Sequence, residues 1–149
     1  MARSEHSAYA AVLTPNHHLR KIEGISFEIY RETMTLMLAV QQKGDVPYRV
    51  LWQVEIENSG FDSVRLAVSD RGDVLVATDS IGIMADDPFL RVYNGEGHLK
   101  AAFSRSALET GFPWAAPLEV GKIAIHGRGE MIVLAYDLKP LLRIAREKK

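Results

Sequence analysis

Polar and apolar residues alternate along much of this chain with a period of two, the spacing of a strand whose successive side chains point to opposite faces of a sheet. The clearest run is Tyr48–Glu57, where Tyr48, Val50, Trp52, Val54 and Ile56 alternate with Arg49, Leu51, Gln53, Glu55 and Glu57. One face of it must meet a core and the other solvent or a partner. Between Thr33 and Gln41, Met34, Leu36, Leu38 and Val40 share one face while Thr33, Thr35, Met37 and Ala39 share the other. Two further stretches, Val64–Thr78 and Phe89–Phe103, each set a Gly-containing polar turn between two β-rich runs. That is the local pattern of a hairpin. A last β pair is predicted at Val120–His126 and Glu130–Asp137, joined by Gly127, Arg128 and Gly129.

Turn and helix signals divide these strands. A first strand over Ala8–Leu13 is predicted to close at Thr14–His18, where the Pro15-Asn16 pair favours a turn. Gln42–Pro47 breaks the next pair, and Asn58–Gly60 ends the clearest strand. The connection Asp79–Pro88 is long for a simple meander and carries Ile81, Ile83 and Met84, so it is predicted to pack against something. Ser104–Glu109 reads as one helical turn with Ser104 as its N-cap. An aromatic, proline-rich connector follows at Gly111–Pro117. From Leu138 the period changes: Leu138, Leu141, Leu142 and Ala145 fall on one helical face, Asp137 suits a cap, Pro140 suits a first turn, and Arg146, Lys148 and Lys149 suit a helix C-terminus. A short amphipathic helix is therefore predicted to close the chain, with a final strand continued through Leu138 as the alternative.

The 149 residues, 47% hydrophobic and 25% charged, fit one β-rich domain over 1–149 with enough apolar surface for a core. A net charge of -1 supplies no global field to attract nucleic acid or an anionic membrane. With no cysteine, a disulfide scaffold, a Cys-ligated metal and a thiol nucleophile are excluded. No run approaches the ~18 apolar residues of a membrane span, and Met1–Tyr9 lacks the apolar core of a secretory signal. The expected location is cytoplasmic.

The stretch from Tyr48 to about Leu108 resembles blades of TolB-like and WD40-like β-propellers, and bacterial proteins that carry such repeats. The resemblance rests on Val50–Ile56, Ala67–Asp73, Ala77–Asp79 and Leu90–Gly97. In those proteins a Ser-x-Asp-Gly turn joins two strands of a blade and a Tyr-Asp-x-x-Gly turn the next two; Ser69–Gly72 and Tyr93–Gly97 occupy those roles here. Leu13–Asn16 reads as a degenerate copy of the first turn. A WD dipeptide and a Gly-His signature are both absent. Propellers close with roughly 4 to 8 blades, whereas this length accommodates about two, so a complete monomeric ring is excluded. The fold class expected is mainly β: an antiparallel, propeller-blade-like meander of hairpins forming a compact sandwich or partial barrel, with a short C-terminal helix. The helix and the Asp79–Pro88 loop are expected to cover the sheet edges, and self-association is the alternative.

Candidate chemistry is sparse. His17 and His18 are adjacent, so in extended chain they point apart and do not share one metal. His126 precedes a Gly-Arg-Gly turn, but the glycines lack the spacing of a phosphate-binding loop. His98 lies within its own hairpin. Asp70, Asp73, Asp79, Asp86 and Asp87 offer hard oxygen ligands without the spacing of a calcium loop, and aspartates at turns commonly bond their own backbone. Arg71-Gly72-Asp73 in a hairpin turn is read as coincidence with the integrin-binding tripeptide. Ser69, Ser80, Ser104 and Ser106 lie in turns or at a helix start, none in a nucleophile elbow. The basic residues of Arg143–Lys149 read as a solvated helix end, since no aromatic residues interleave with them.

No catalytic, cofactor-binding or metal-binding residue is assigned, and no cofactor is expected. The leading reading is a non-enzymatic protein-interaction or scaffold module. Its expected surface comprises Asp79, Met84, Asp86 and Asp87 of the long loop, with Phe112 and Trp114 as aromatic anchors. The propeller resemblance implies the same, because such blades mostly serve binding. Two alternatives stand beside it: a small ligand-binding or hydrolytic domain whose site gathers His126, His98 or the loop aspartates, and a small inhibitor or immunity-type protein.

Overall fold

A computed structural model of the chain describes residues 2–4, 8–22, 29–41, 48–58, 63–79, 87–128 and 131–144. These residues form three antiparallel sheets. The first has the order β1 (Ala2–Arg3), β2 (Tyr9–Ile22), β3 (Ile29–Val40) and β4 (Arg49–Asn58). The second runs β5 (Ser63–Val68), β6 (Val74–Asp79), β7 (Pro88–Tyr93) and β8 (Leu99–Ser104). The third sets β10 (Met131–Tyr136) between β9 (Ile123–Arg128) and β11 (Lys139–Ile144). Strands adjacent in sequence are adjacent in space throughout, so each sheet is a meander. Helix α1 (Arg105–Gly111) and the 3-10 turns Pro113–Ala115 and Val120–Lys122 link the second sheet to the third. The chain is mainly β with one short helix among the described residues, as the alternation predicts, and no barrel closes among them.

The second sheet is the middle of three layers. On β6 every residue from Val74 to Thr78 is buried, because alternate side chains serve different cores. Val74 and Val76 pack with Ala11, Leu36, Leu38 and Ile56 of the first sheet. Leu75 and Ala77 pack with Leu118, Ile132, Leu134 and Leu141 on the side of the third. A strand covered on both faces carries apolar residues at consecutive positions, as β6 does, whereas β4, covered on one face, alternates. The sheets adjoin along their first strands, with β1 and β2 against β5, and β5 against β9.

The glycines of the two predicted hairpin turns join the first two layers. Gly72, at φ +89°, and Gly97, at φ +84°, adopt a left-handed backbone that side chains rarely adopt. A Cβ on Gly97 would lie 2.8 Å from the Trp52 indole, which donates from Nε1 to the Gly95 carbonyl at 3.1 Å. A Cβ on Gly95 would meet the Arg71 carbonyl of the other turn at 2.9 Å. The bare backbone is thus what lets both turns and Trp52 pack closely.

Two expectations are corrected. Among the described residues the C-terminal helix is absent: residues 139–144 are β11, paired with β10 after a tight turn at Asp137 and Leu138, whose φ values of 50° and 68° are those of a primed hairpin turn. A bulge between Leu134 and Ala135 lets consecutive Leu141 and Leu142 both reach the core. That places apolar residues at 138, 141 and 142, imitating helical spacing. Pro140 is tolerated because β11 is an edge strand. The predicted turn at Thr14–His18 is instead an irregularity within β2. Pro15 pairs with Met34 and Leu19 with Glu32, so residues 16–18 oppose Thr33 alone. The one helix lies where the Ser104 cap predicts a helical turn, with Ser104 Oγ accepting from the Ala107 amide at 3.2 Å. The predicted break at Gln42–Pro47 lies outside the described residues.

Candidate functional site

Of the six residues expected to form an interaction surface, Asp79, Asp87, Phe112 and Trp114 lie among the described residues. Asp79, at the end of β6, is ion-paired with Arg105, whose guanidinium lies 5.7 Å from the Phe89 ring centroid. Its carboxylate fastens α1 to the second sheet. Asp87 is half-buried just before β7, and Met84 and Asp86 lie outside the described residues. Phe112 and Trp114 do meet, in an edge-on contact with centroids 6.3 Å apart.

That aromatic pair sits at one end of the third sheet. Phe112 caps α1, its amide donating to the Leu108 carbonyl at 2.8 Å, and its half-buried ring packs on the core. Trp114 projects from the 3-10 turn, 46% exposed, with Tyr136 at 6.4 Å and the Lys139 ammonium 5.3 Å from the ring centroid. Tyr136 is fixed by donating its hydroxyl to the Pro117 carbonyl at 2.8 Å. Tyr136 and Lys139 flank the Asp137-Leu138 turn, on which Leu138 is 96% exposed. The edge thus shows an indole face, an aliphatic tip and a cation on a backbone held from below. Sequence reasoning missed Leu138, Tyr136 and Lys139. The signal was the Asp137-Leu138 pair between two β-rich runs, hidden by the helical spacing of the leucines.

A second polar constellation is interior. Arg91 on β7, only 5% exposed, donates to Asn58 Oδ1 at 2.5 Å, Thr78 Oγ1 at 3.2 Å, the Glu57 carbonyl at 3.2 Å and the Pro88 carbonyl at 3.4 Å. It joins β4 of the first sheet to β6 and β7 of the second. Burial raises the Tyr93 hydroxyl above its ordinary pKa, opposed in part by the charge of Arg91.

The remaining candidates are dispersed. His98, beside Glu96 at 3.6 Å, is on the β7–β8 turn of the second sheet, while His126 is exposed on β9 of the third. Ser69 Oγ accepts from the Asp73 amide at 3.1 Å and Asp73 pairs with Arg71 at 2.6 Å, so the Arg-Gly-Asp turn is internally bonded. A cavity of about 360 Å³ between β2, β3 and β5 is lined by Leu13, Met34, Val64, Arg65 and Leu66, and one of about 170 Å³ by Arg3, Ser4, Tyr9, Gln41 and Tyr48 among others. Among the described residues neither lining includes a histidine or carboxylate that could serve as a general acid or base. Among the described residues no group of three or more His, Asp or Glu is placed to hold a metal ion, and no helix is long and apolar enough to cross a membrane. In comparisons with known protein families, curated proteins and solved structures, the chain matches none of them.

Proposed function

We propose that the protein is a non-enzymatic interaction module that binds a protein partner through the edge formed by Phe112, Trp114, Leu138 and Lys139. The observation that carries this reading is the exposure of two large apolar side chains, 46% for Trp114 and 96% for Leu138, on a framework braced by Tyr136. Leu138 also holds a left-handed φ of 68°, a conformation costing a non-glycine residue on the order of 1–2 kcal/mol. Strain and exposure together disfavour a leucine for folding alone, so a role in binding accounts for it better. Covering the exposed part of either side chain would yield roughly 2 kcal/mol, the size of an interface hot spot. Lys139 suits a partner segment that places a carboxylate beside apolar groups. The cysteine-free sequence agrees with a cytoplasmic setting.

The test uses two variants with opposite effects on folding. Leu138→Gly relieves the turn and is expected to leave stability unchanged or raise it by up to about 1 kcal/mol, whereas Trp114→Ala removes ring contacts and lowers it modestly. Affinity capture from the native host is expected to recover a partner with the wild-type chain, with recovery falling at least about tenfold for both variants. Equal recovery by all three proteins would overturn the reading.

A further inference from the structure

The middle strand of the third sheet is apolar at every position from Met131 to Tyr136. Ile132, Leu134 and Tyr136 pack into the core beside the second sheet, while Met131, Val133 and Ala135 point away and stay partly exposed. Within this chain, β6 shows what such a run is for: it is covered on both faces. Strand β4, covered on one face, presents Gln53, Glu55 and Glu57 on the other. By residue type β10 resembles β6, yet its outer face has no cover among the described residues.

The register defines that face. Val133 lies between His126 of β9 and Arg143 of β11, and Ala135 lies between Ala124 and Pro140. It is an apolar strip bordered by basic side chains. The outer face of the first sheet has the complementary character. There Thr35 lies between Thr14 and Glu55, Met37 between Val12 and Gln53, and Thr33 opposite Glu57. Asn16 bonds Thr33 at 3.2 Å and Thr35 at 2.7 Å, holding this surface in one arrangement.

We infer that the outer face of the third sheet packs on the outer face of the first sheet of a second copy, head to tail, and that two copies close into a ring. Glu55 of one copy then meets Arg143 of the next. Pairing two third sheets instead would set Arg143 of each copy against a face with no carboxylate among the described residues, which disfavours a face-to-face twofold contact. Within one copy, successive sheets adjoin along their first strands, and the head-to-tail contact continues that progression. Two copies supply six sheets, inside the roughly 4–8 that closed radial arrangements use, and three copies supply nine, outside it. Area argues for closure as well. Three strands of six residues cover about 14 by 20 Å in plan, well below the ~800 Å² per partner of a stable pair. A closed ring makes the contact twice; an open chain end makes it once.

Light scattering and sedimentation of the full chain, from low to high micromolar concentration, test this. The expected mass is that of two copies with no larger species. Glu55→Arg and Arg143→Glu are each expected to weaken association at least about tenfold, because each places like charges in both contacts of the ring, and the double variant Glu55→Arg/Arg143→Glu is expected to regain it. Val133→Glu should give a monomer with unchanged circular dichroism; if it does not fold, the charge pair still decides. A wild-type monomer at high micromolar concentration would overturn the inference. So would a dimer indifferent to the charge variants, or a mass that grows without limit.

Discussion

Arg91 carries an obligate positive charge at 5% exposure, and the acceptors around it come from β4, β6 and the start of β7. Replacing it with Met keeps much of the volume but strands Asn58, itself fully buried, together with two backbone carbonyls. Each buried acceptor left without a donor costs about 1–3 kcal/mol. Arg91→Met is therefore expected to lower stability by about 3 kcal/mol or more in denaturant unfolding; a loss below about 1 kcal/mol would mean the network contributes little. Tyr93 supplies a pH signature from the same neighbourhood. Burial raises its hydroxyl pKa and Arg91 only partly reverses the effect. Above about pH 10 the unfolded chain gives up this proton before the folded one does, so stability falls as pH rises from there toward the folded-state pKa. Tyr93→Phe should flatten that alkaline decline relative to wild type when unfolding midpoints are compared between about pH 9 and pH 11. Nothing in the sequence marked Arg91 apart from other strand arginines. Burial comes from the layer placed over it, which no local pattern encodes.

At the level of elements, the turns behave according to what they touch. Gly72 and Gly97 share a left-handed φ, but an added Cβ at Gly72 would press on a terminal methyl of Leu38 at 3.3 Å, whereas at Gly97 it would strike the flat indole of Trp52 at 2.8 and 2.9 Å. Gly72→Ala should cost about 1–2 kcal/mol for the backbone alone, and Gly97→Ala about 2–4 kcal/mol through the further overpacking. The second change should also move the emission of Trp52, and equal costs with unmoved emission would refute the packing argument. The two hairpins around these glycines were legible because their turn residues act locally. The C-terminal hairpin was not. Its turn uses Asp137 and Leu138 in place of Asn-Gly, and the extra residue of β11 opposite Leu134 and Ala135 brings neighbouring leucines to one core, so two departures from strand periodicity combined to imitate a helix. A bulge between Leu38 and Ala39 similarly turns Val50, which alternates in step with Trp52, Val54 and Ile56, 52% out to solvent. Of the candidate surface, the sequence marked Phe112 and Trp114 by residue type alone, while Leu138 and Lys139 depended on that hidden hairpin.

For the whole molecule the decisive fact is that one sheet serves two cores. Leu75 and Val76 are consecutive on β6, both fully buried, and point into different clusters. Three layers could not be read from periodicity, since a run such as Val74–Ala77 says only that both faces are covered and not by what. The arrangement makes a thermodynamic demand. If the first and third sheets were independent units resting on the second, Val76→Ala would loosen only the first and Leu75→Ala only the third. If β6 couples them, either change lowers the stability of both. The two tryptophans separate these cases, because Trp52 lies between the first and second sheets and Trp114 at the end of the third. In Trp114→Phe the remaining fluorescence reports the first interface, and in Trp52→Phe it reports the other. Unfolding curves from the two backgrounds are expected to shift together by about 2–4 kcal/mol for Leu75→Ala and by less for Val76→Ala, which removes fewer methylene groups. Within each background the change should appear as a single transition. A shift confined to one tryptophan would show that the layers unfold separately, and the second sheet would then be a spacer between two units instead of the core they share.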